Sequence, residues 1–147
     1  MAEVRKLEGD RLAKPLGLLL SGEAIACVFF AIAHLSLRIP LGFATLHEPR
    51  VVPATIVETM CGIVLVLSGM ALLSGDVNAW RAAVAAQGFT LCGFILGVVA
   101  STGSDDTVNN DFHRVMLVFV TLGLLGSIAM LRRGHGHARA VGDSGAV

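Results

Sequence analysis

The chain has 147 residues, of which 54% are hydrophobic and 15% charged, with a formal net charge of zero and a mean hydropathy of +0.76. This composition excludes a disordered tail and an ordinary water-soluble domain, and a neutral chain offers no bulk electrostatic case for nucleic acid. Four long apolar runs, at 16–37, 51–73, 79–100 and 115–131, leave no room for a separate soluble catalytic module.

A hydrocarbon core about 30 Å thick needs roughly 20 helical residues, so each run reads as a membrane crossing. The expected fold is all-α: an integral membrane bundle of four transmembrane helices. Residues 1–15 mix acids and bases (Glu3, Arg5, Lys6, Glu8, Asp10, Arg11, Lys14) and read as a short helix at the membrane surface. Pro15 suits the first turn of span one, where no N–H partner is needed. Pro40 is expected to end that span. Its apolar stretch is too long for a signal-peptide core, so Ala31-Ile32-Ala33 is not read as a cleavage site. A loop at 41–50 leads to span two, whose start is flanked by Pro49 and Pro53. The link Gly75-Asp76-Val77-Asn78 is short enough to make spans two and three antiparallel neighbours, and Asn78 can cap span three. An acidic loop at 101–110 holds Asp105 and Asp106, and span four follows, extended toward Asn110 by a polar first turn. Residues 134–147 read as a small, polar, mobile tail in which His135 and His137 are solvated.

Lysines and arginines are distributed unevenly between the two ends of such a bundle. Arg5, Lys6, Arg11, Lys14, Arg81, Arg132, Arg133 and Arg139 fall with the termini and the short link, eight against the three (Arg38, Arg50, Arg114) at the opposite end. The positive-inside rule then puts both termini in the cytoplasm, and the plasma membrane of a bacterium is the expected location. The lipid bilayer is one expected partner. Further membrane subunits or copies of the chain itself are the other. Helices in lipid associate through close approach at small residues, which points to Gly93 and Gly97 on span three, Gly123 and Ser127 on span four, and Gly17 and Ser21 on span one as bundle-facing positions. The cysteines Cys27, Cys61 and Cys92 all fall inside spans and read as small buried hydrophobes.

Ionisable groups inside a span are costly and each needs an account. Three occur within spans, Glu23, His34 and Glu58, and His113 stands at the edge of span four. In span one, Glu23, Cys27, Phe30 and His34 follow at i, i+4, i+7 and i+11, and eleven steps return to within about 20° of the start. That stripe should face the bundle. His34, Glu58 and His113 fall at similar depth near the end away from the termini, where they can form a polar site for a proton, a quinone head group or a metal. Imidazole and carboxylate suit zinc, iron or copper, and two histidines on different helices can hold a haem iron. Structural readings stand beside these. Thr55-Ile56-Val57-Glu58 fits a capping box in which Glu58 only closes a helix start. His34 can serve as a hydrogen bond to a neighbouring helix, and His113 as an interface anchor beside Arg114. Glu23 lies about three turns from His34 and is expected to bond a facing serine, threonine or Gln87.

Two segments carry a family resemblance. Phe29-Phe30-Ala31-Ile32-Ala33-His34 is followed by Ile39-Pro40, and Pro53 precedes Ile56-Val57-Glu58-Thr59-Met60-Cys61-Gly62-Ile63-Val64-Leu65 and Gly69. This pattern resembles DoxX-like small membrane proteins over roughly half the chain, with His34, Pro40, Glu58 and Gly62 as the matching positions. The resemblance implies a four-helix bundle loosely linked to quinone-coupled or oxidative-stress redox assemblies. The expected function is therefore an accessory subunit of a membrane redox or respiratory-type assembly, not catalytic on its own. A self-contained binder of a quinone, haem or other lipid-soluble ligand is the alternative, and an oligomeric small transporter or channel is a third. The orientation has a direct check. The thiol introduced by Ser104→Cys should react with a membrane-impermeant maleimide from outside intact cells, whereas reaction only after permeabilisation would invert the topology.

Overall fold

A computed structural model describes residues 2–40, 42, 45–47, 50–101 and 107–143, and side chains over 12–40, 42, 45, 50–101 and 108–133. Asp105 and Asp106, and the side chains of Arg5, Lys6, Arg11, Arg139, His135 and His137, lie outside these residues. The chain runs α1 (Ala2–Ala33), β1 (Arg38–Pro40), β2 (Thr45–His47), α2 (Val52–Ser74), α3 (Ala79–Ser101) and α4 (Thr107–Asp143). Four segments are long and apolar enough to cross a membrane: Leu12–Ala33, Val52–Ser74, Ala79–Ser101 and Val108–Arg133. The shortest has 22 residues, about 33 Å at helical rise. Large apolar side chains point outward along every crossing, with Leu18, Ile25, Leu67, Leu96 and Val118 all more than half exposed. In water such a surface would aggregate, and in lipid it is the solvated face. The protein is a small integral membrane four-helix bundle.

Several boundaries differ from those read in the sequence. α1 is one continuous helix from Ala2, so Pro15 lies inside it and not at its start. It sits instead in the first turn of the crossing segment, where the backbone bond that proline removes falls near the bundle's end. α1 stops at Ala33, well before Pro40, because the chain turns over His34-Leu35-Ser36 and Ser36 adopts a φ of +63°. The amide of Val51 then donates to the carbonyl of His34 at 3.1 Å, tying the end of α1 to the start of α2. Between them the expected loop contains a short antiparallel ladder with Arg38 opposite His47, Ile39 opposite Leu46 and Pro40 opposite Thr45. Gly42, at φ +84°, lies in the reversal. This end of the molecule is called the hairpin end below. α4 is helical through Asp143, past the point where the sequence reading ended the span at residue 131.

The α2–α3 link is built as expected, with one exchange of roles. Gly75 is left-handed at φ 72°, its amide donates to Leu72 O at 3.3 Å, and the Asp76 amide donates to Ala71 O at 3.0 Å. These bonds satisfy the last carbonyls of α2. The backbone carbonyl of Asn78 accepts the first bond of α3, from Ala82. The side-chain bond at this corner comes from Asp76, whose Oδ1 accepts from the Asn78 amide at 2.7 Å.

Helices adjacent in sequence pack side by side, α1 on α2, α2 on α3 and α3 on α4, while α1 and α4 touch only sparsely. Glycines set the close approaches. A side chain at Gly17 would meet Leu73 and the carbonyl of Gly69, and one at Gly69 would meet the carbonyl of Gly17 and Ser21. α1 and α2 therefore cross nearly backbone to backbone near the termini. Added at Gly93, a Cβ would lie 3.0 Å from Cys61 Sγ and 3.2 Å from Val57 Cγ1, so this face of α3 is seated on α2. Of the cysteines, Cys27 and Cys61 are buried, whereas Cys92 is exposed and faces lipid, contrary to the reading that all three are interior. Gly93→Leu should destabilise the bundle by about 1–3 kcal/mol through overpacking, measured as thermal unfolding in mild detergent. Gly88→Leu, where an added Cβ meets nothing within 4 Å, should leave it nearly unchanged.

Candidate functional site

Two of the intramembrane ionisable groups meet directly. His34 Nδ1 and Glu58 Oε2 are 2.9 Å apart, both fully inside the protein. With Glu58 ionised, the ring N–H donates and the carboxylate accepts. The bond joins the turn just after α1 to the second turn of α2, and the Val51–His34 backbone bond lies alongside it. The capping-box reading of Glu58 is not what forms. α2 starts at Val52 with proline in its first turn, and Thr55 is already inside the helix, donating back to Val51 O at 3.3 Å. Glu58 is thereby placed too far along α2 to cap it.

Glu58 keeps a second oxygen. Its Oε1 is buried with no hydrogen-bond partner among the described residues, and Glu58 lines a cavity of about 200 Å³ at the hairpin end. Cys61 and Val57 of α2, Gly93 and Phe94 of α3, and His113 of α4 line it too. An apolar cavity of about 150 Å³ holds benzene, so this one accommodates a single ring. Val57 and Leu96 at its rim are exposed, which opens it sideways to lipid.

His113 shares that cavity but makes no direct bond to Glu58. Its Nδ1 donates to the carbonyl of Asn109 one turn earlier, at 2.8 Å, which leaves Nε2 as the acceptor in the neutral ring. The imidazole lies against Gly97, where any side chain would collide with it, and stands edge-to-face with Phe94 at 5.5 Å. Levels agree across the bundle, since Phe30, one turn before His34, stacks on Phe112, the neighbour of His113, at 3.5 Å between centroids. His34 is not among the described residues lining this cavity. Among the described residues, no three His, Cys, Asp or Glu side chains form a group able to hold a metal ion.

Glu23 forms a separate pair. Gln87 Nε2 of α3 donates to Glu23 Oε2 at 2.8 Å, across the bundle from α1. Gln87 is fully buried, and its amide occupies the space that Gly123 of α4 leaves empty. Ser127, one turn along, is also fully buried. Two of the stripe glycines thus have a role the sequence did not suggest. Gly97 of α3 makes room for His113 of α4, and Gly123 of α4 makes room for Gln87 of α3. The exchange brings side chain to backbone rather than backbone to backbone. Gln87 is the one side-chain amide in the third span, and that isolation was the signal for its role.

No family model, curated protein or solved structure matches this chain. The geometry of the His34–Glu58 pair makes a quantitative expectation. His34→Ala and Glu58→Gln should each cost about 1–3 kcal/mol of stability, read from unfolding in detergent, and the double variant should be little worse than either single. A coupling of about 0.5–3 kcal/mol is the mark of direct contact, and additive losses would mean that the residues act separately.

Proposed function

We propose that this protein binds a lipid-soluble molecule carrying a hydroxylated ring, of the quinol class, in the cavity at its hairpin end. One observation carries the reading: a buried carboxyl, held on one oxygen by His34 and without a hydrogen-bond partner on the other among the described residues, lines an apolar, ring-sized cavity. His113, whose Nδ1 is engaged by the Asn109 carbonyl, lines the same cavity with its other ring nitrogen left to act as a second acceptor, so the site asks its ligand for O–H donors. A lateral mouth suits a ligand that arrives through the membrane. The basic bias of the sequence supports a cytoplasmic location for both termini, in a bacterial plasma membrane, with the cavity toward the opposite face.

The DoxX-like resemblance is part of this proposal. Two of its matching positions, His34 and Glu58, are the two that bond each other, and the link it implies to quinone-coupled assemblies agrees in ligand class. The accessory-subunit role belongs here as well. A neighbouring redox subunit that exchanges electrons with a quinol held in the cavity is the natural setting for such a binder.

The test uses full-length protein purified in mild detergent and duroquinol as the probe, followed by calorimetry. Saturable binding is expected, weakened about tenfold or more in Glu58→Gln, the equivalent of one charge-assisted hydrogen bond. Absence of binding by the unaltered protein, or full binding by Glu58→Gln, would refute the site. Redox subunits that co-purify in stable ratio would support the accessory setting, and a homo-oligomer alone would count against it.

A further inference from the structure

A second opening lies between α1 and α4, at the sparsely packed closure of the bundle. It is a lateral groove of about 700 Å³. Its walls are apolar and carry four aromatic rings: Phe29 and Phe30 from α1, Phe112 and Phe119 from α4. Phe29 and Phe30 stand edge-to-face at 5.5 Å, and the Phe30–Phe112 stack joins the two walls. Ile25, Val115 and Phe119 along it are exposed, so the groove opens onto lipid.

Its polar groups all have one sign. Among the described residues, the ionisable ones lining it are Glu23 and Asp111, both acidic, and no base lines it. Glu23 is only 4% exposed. Gln87 holds its Oε2, and its Oε1 is buried without a hydrogen-bond partner among the described residues. Glu23 stands ten residues before the end of α1, about 15 Å from the hairpin end and near mid-bilayer, and Asp111 stands within the first turns of α4, about 5 Å from that end. An exposed acid at the mouth and a buried one deeper in form a graded path for positive charge.

We infer that this groove is a binding site for a lipophilic organic cation, with Glu23 as its counter-ion and the phenylalanine rings as its walls. An acyl chain makes no use of a half-satisfied buried carboxyl, a neutral hydroxyl would use one acid but not the pair, and an anion is repelled by both acids. A cation flanked by aryl or alkyl groups satisfies every element. Its charge pairs with the Glu23 carboxyl that borders the groove, its positive face meets the ring faces of the walls, and its apolar groups replace lipid against the exposed rim. The site lies on α1 and α4, apart from the Glu58 cavity of α2, α3 and α4, and does not rest on the function proposed for that cavity.

The test is equilibrium binding of radiolabelled tetraphenylphosphonium to the full-length protein in lipid nanodiscs. Saturable binding is expected, with no competition from tetraphenylborate, which has nearly the same shape and the opposite charge. Glu23→Gln keeps an acceptor for Gln87 but removes the charge, and should weaken binding about tenfold or more. Val115→Trp, at a lipid-exposed position, should block the groove and reduce binding while leaving both acids and the packed interior intact. No saturable binding by the unaltered protein would overturn the inference. So would equal competition by tetraphenylborate, or undiminished binding in either variant.

Discussion

Lipid offers no hydrogen bonds, and that single lack organises the interior of this bundle. In water a polar side chain that fails to find a partner turns outward. Here an outward turn leaves it in hydrocarbon, at a cost of several kcal/mol for an ionised group. Glu23, His34, Glu58, Gln87 and His113 are therefore all buried, and the helices must be shaped around them. Apolar burial cannot supply the shaping force, because lipid tails are as apolar as the leucines they contact. Close packing and a few directional bonds carry it instead. The reciprocal seating of His113 on Gly97 and Gln87 against Gly123 is the clearest product: each helix of the α3–α4 pair gives up a side chain where the other inserts a polar one.

The same constraint explains how much could be read in advance. Four crossings were legible because largely apolar helical segments of 22 or more residues have few other uses. The inward face of α1 was legible because Glu23, Cys27 and His34 share one stripe, and all three are buried. The lipid-facing position of Cys92 was also within reach, since five steps from Gln87 turn it about 140° away from that buried amide. The end of α1 was not legible. It depends on the His34 carbonyl taking a bond from Val51, a contact across 17 residues that no local pattern announces. The role of Glu58 was ambiguous for a related reason. Pro53 and Thr55 each signal a helix start, and only the position of Val51 after the turn decides between them. The acid then stands either at a helix cap or one turn further on, where it meets His34.

The groove between α1 and α4 had no local signature at all. It exists because covalent links are short between α2 and α3 and longer or absent elsewhere, so the first and last helices close the bundle without a connection to hold them. Phe30 and Phe112 bring them together near the hairpin end, and Leu16 against Gly126 does so nearer the termini. Between those two contacts the walls stand apart. Aromatic residues that a sequence reading treats as generic apolar filler thus become the lining of a specific space.

α1 connects the two sites, and its one polar stripe meets different partners at different depths. At its end, His34 bonds α2, an adjacent helix. Near mid-bilayer, Glu23 bonds α3, the helix diagonally across the bundle. Helices that pack at an angle sweep their neighbours past a fixed stripe along their length, so residues eleven apart on α1 need not share a partner. Each bond removes a different freedom. The His34–Glu58 bond and the parallel backbone bond clamp the α1–α2 corner, while Glu23–Gln87 sets the rotation of α1 about its own axis, since a turn of even one residue would swing the carboxyl away from Gln87. Both acids reach their partners through one oxygen and leave the other buried without one among the described residues. A carboxyl used purely as a structural tie would gain stability from a second donor, and the helices facing each acid carry serine and threonine residues that an altered register could bring within reach. Leaving both oxygens unpaired forgoes that stability at two places in a small bundle, and each of the two acids lines an opening in its packing.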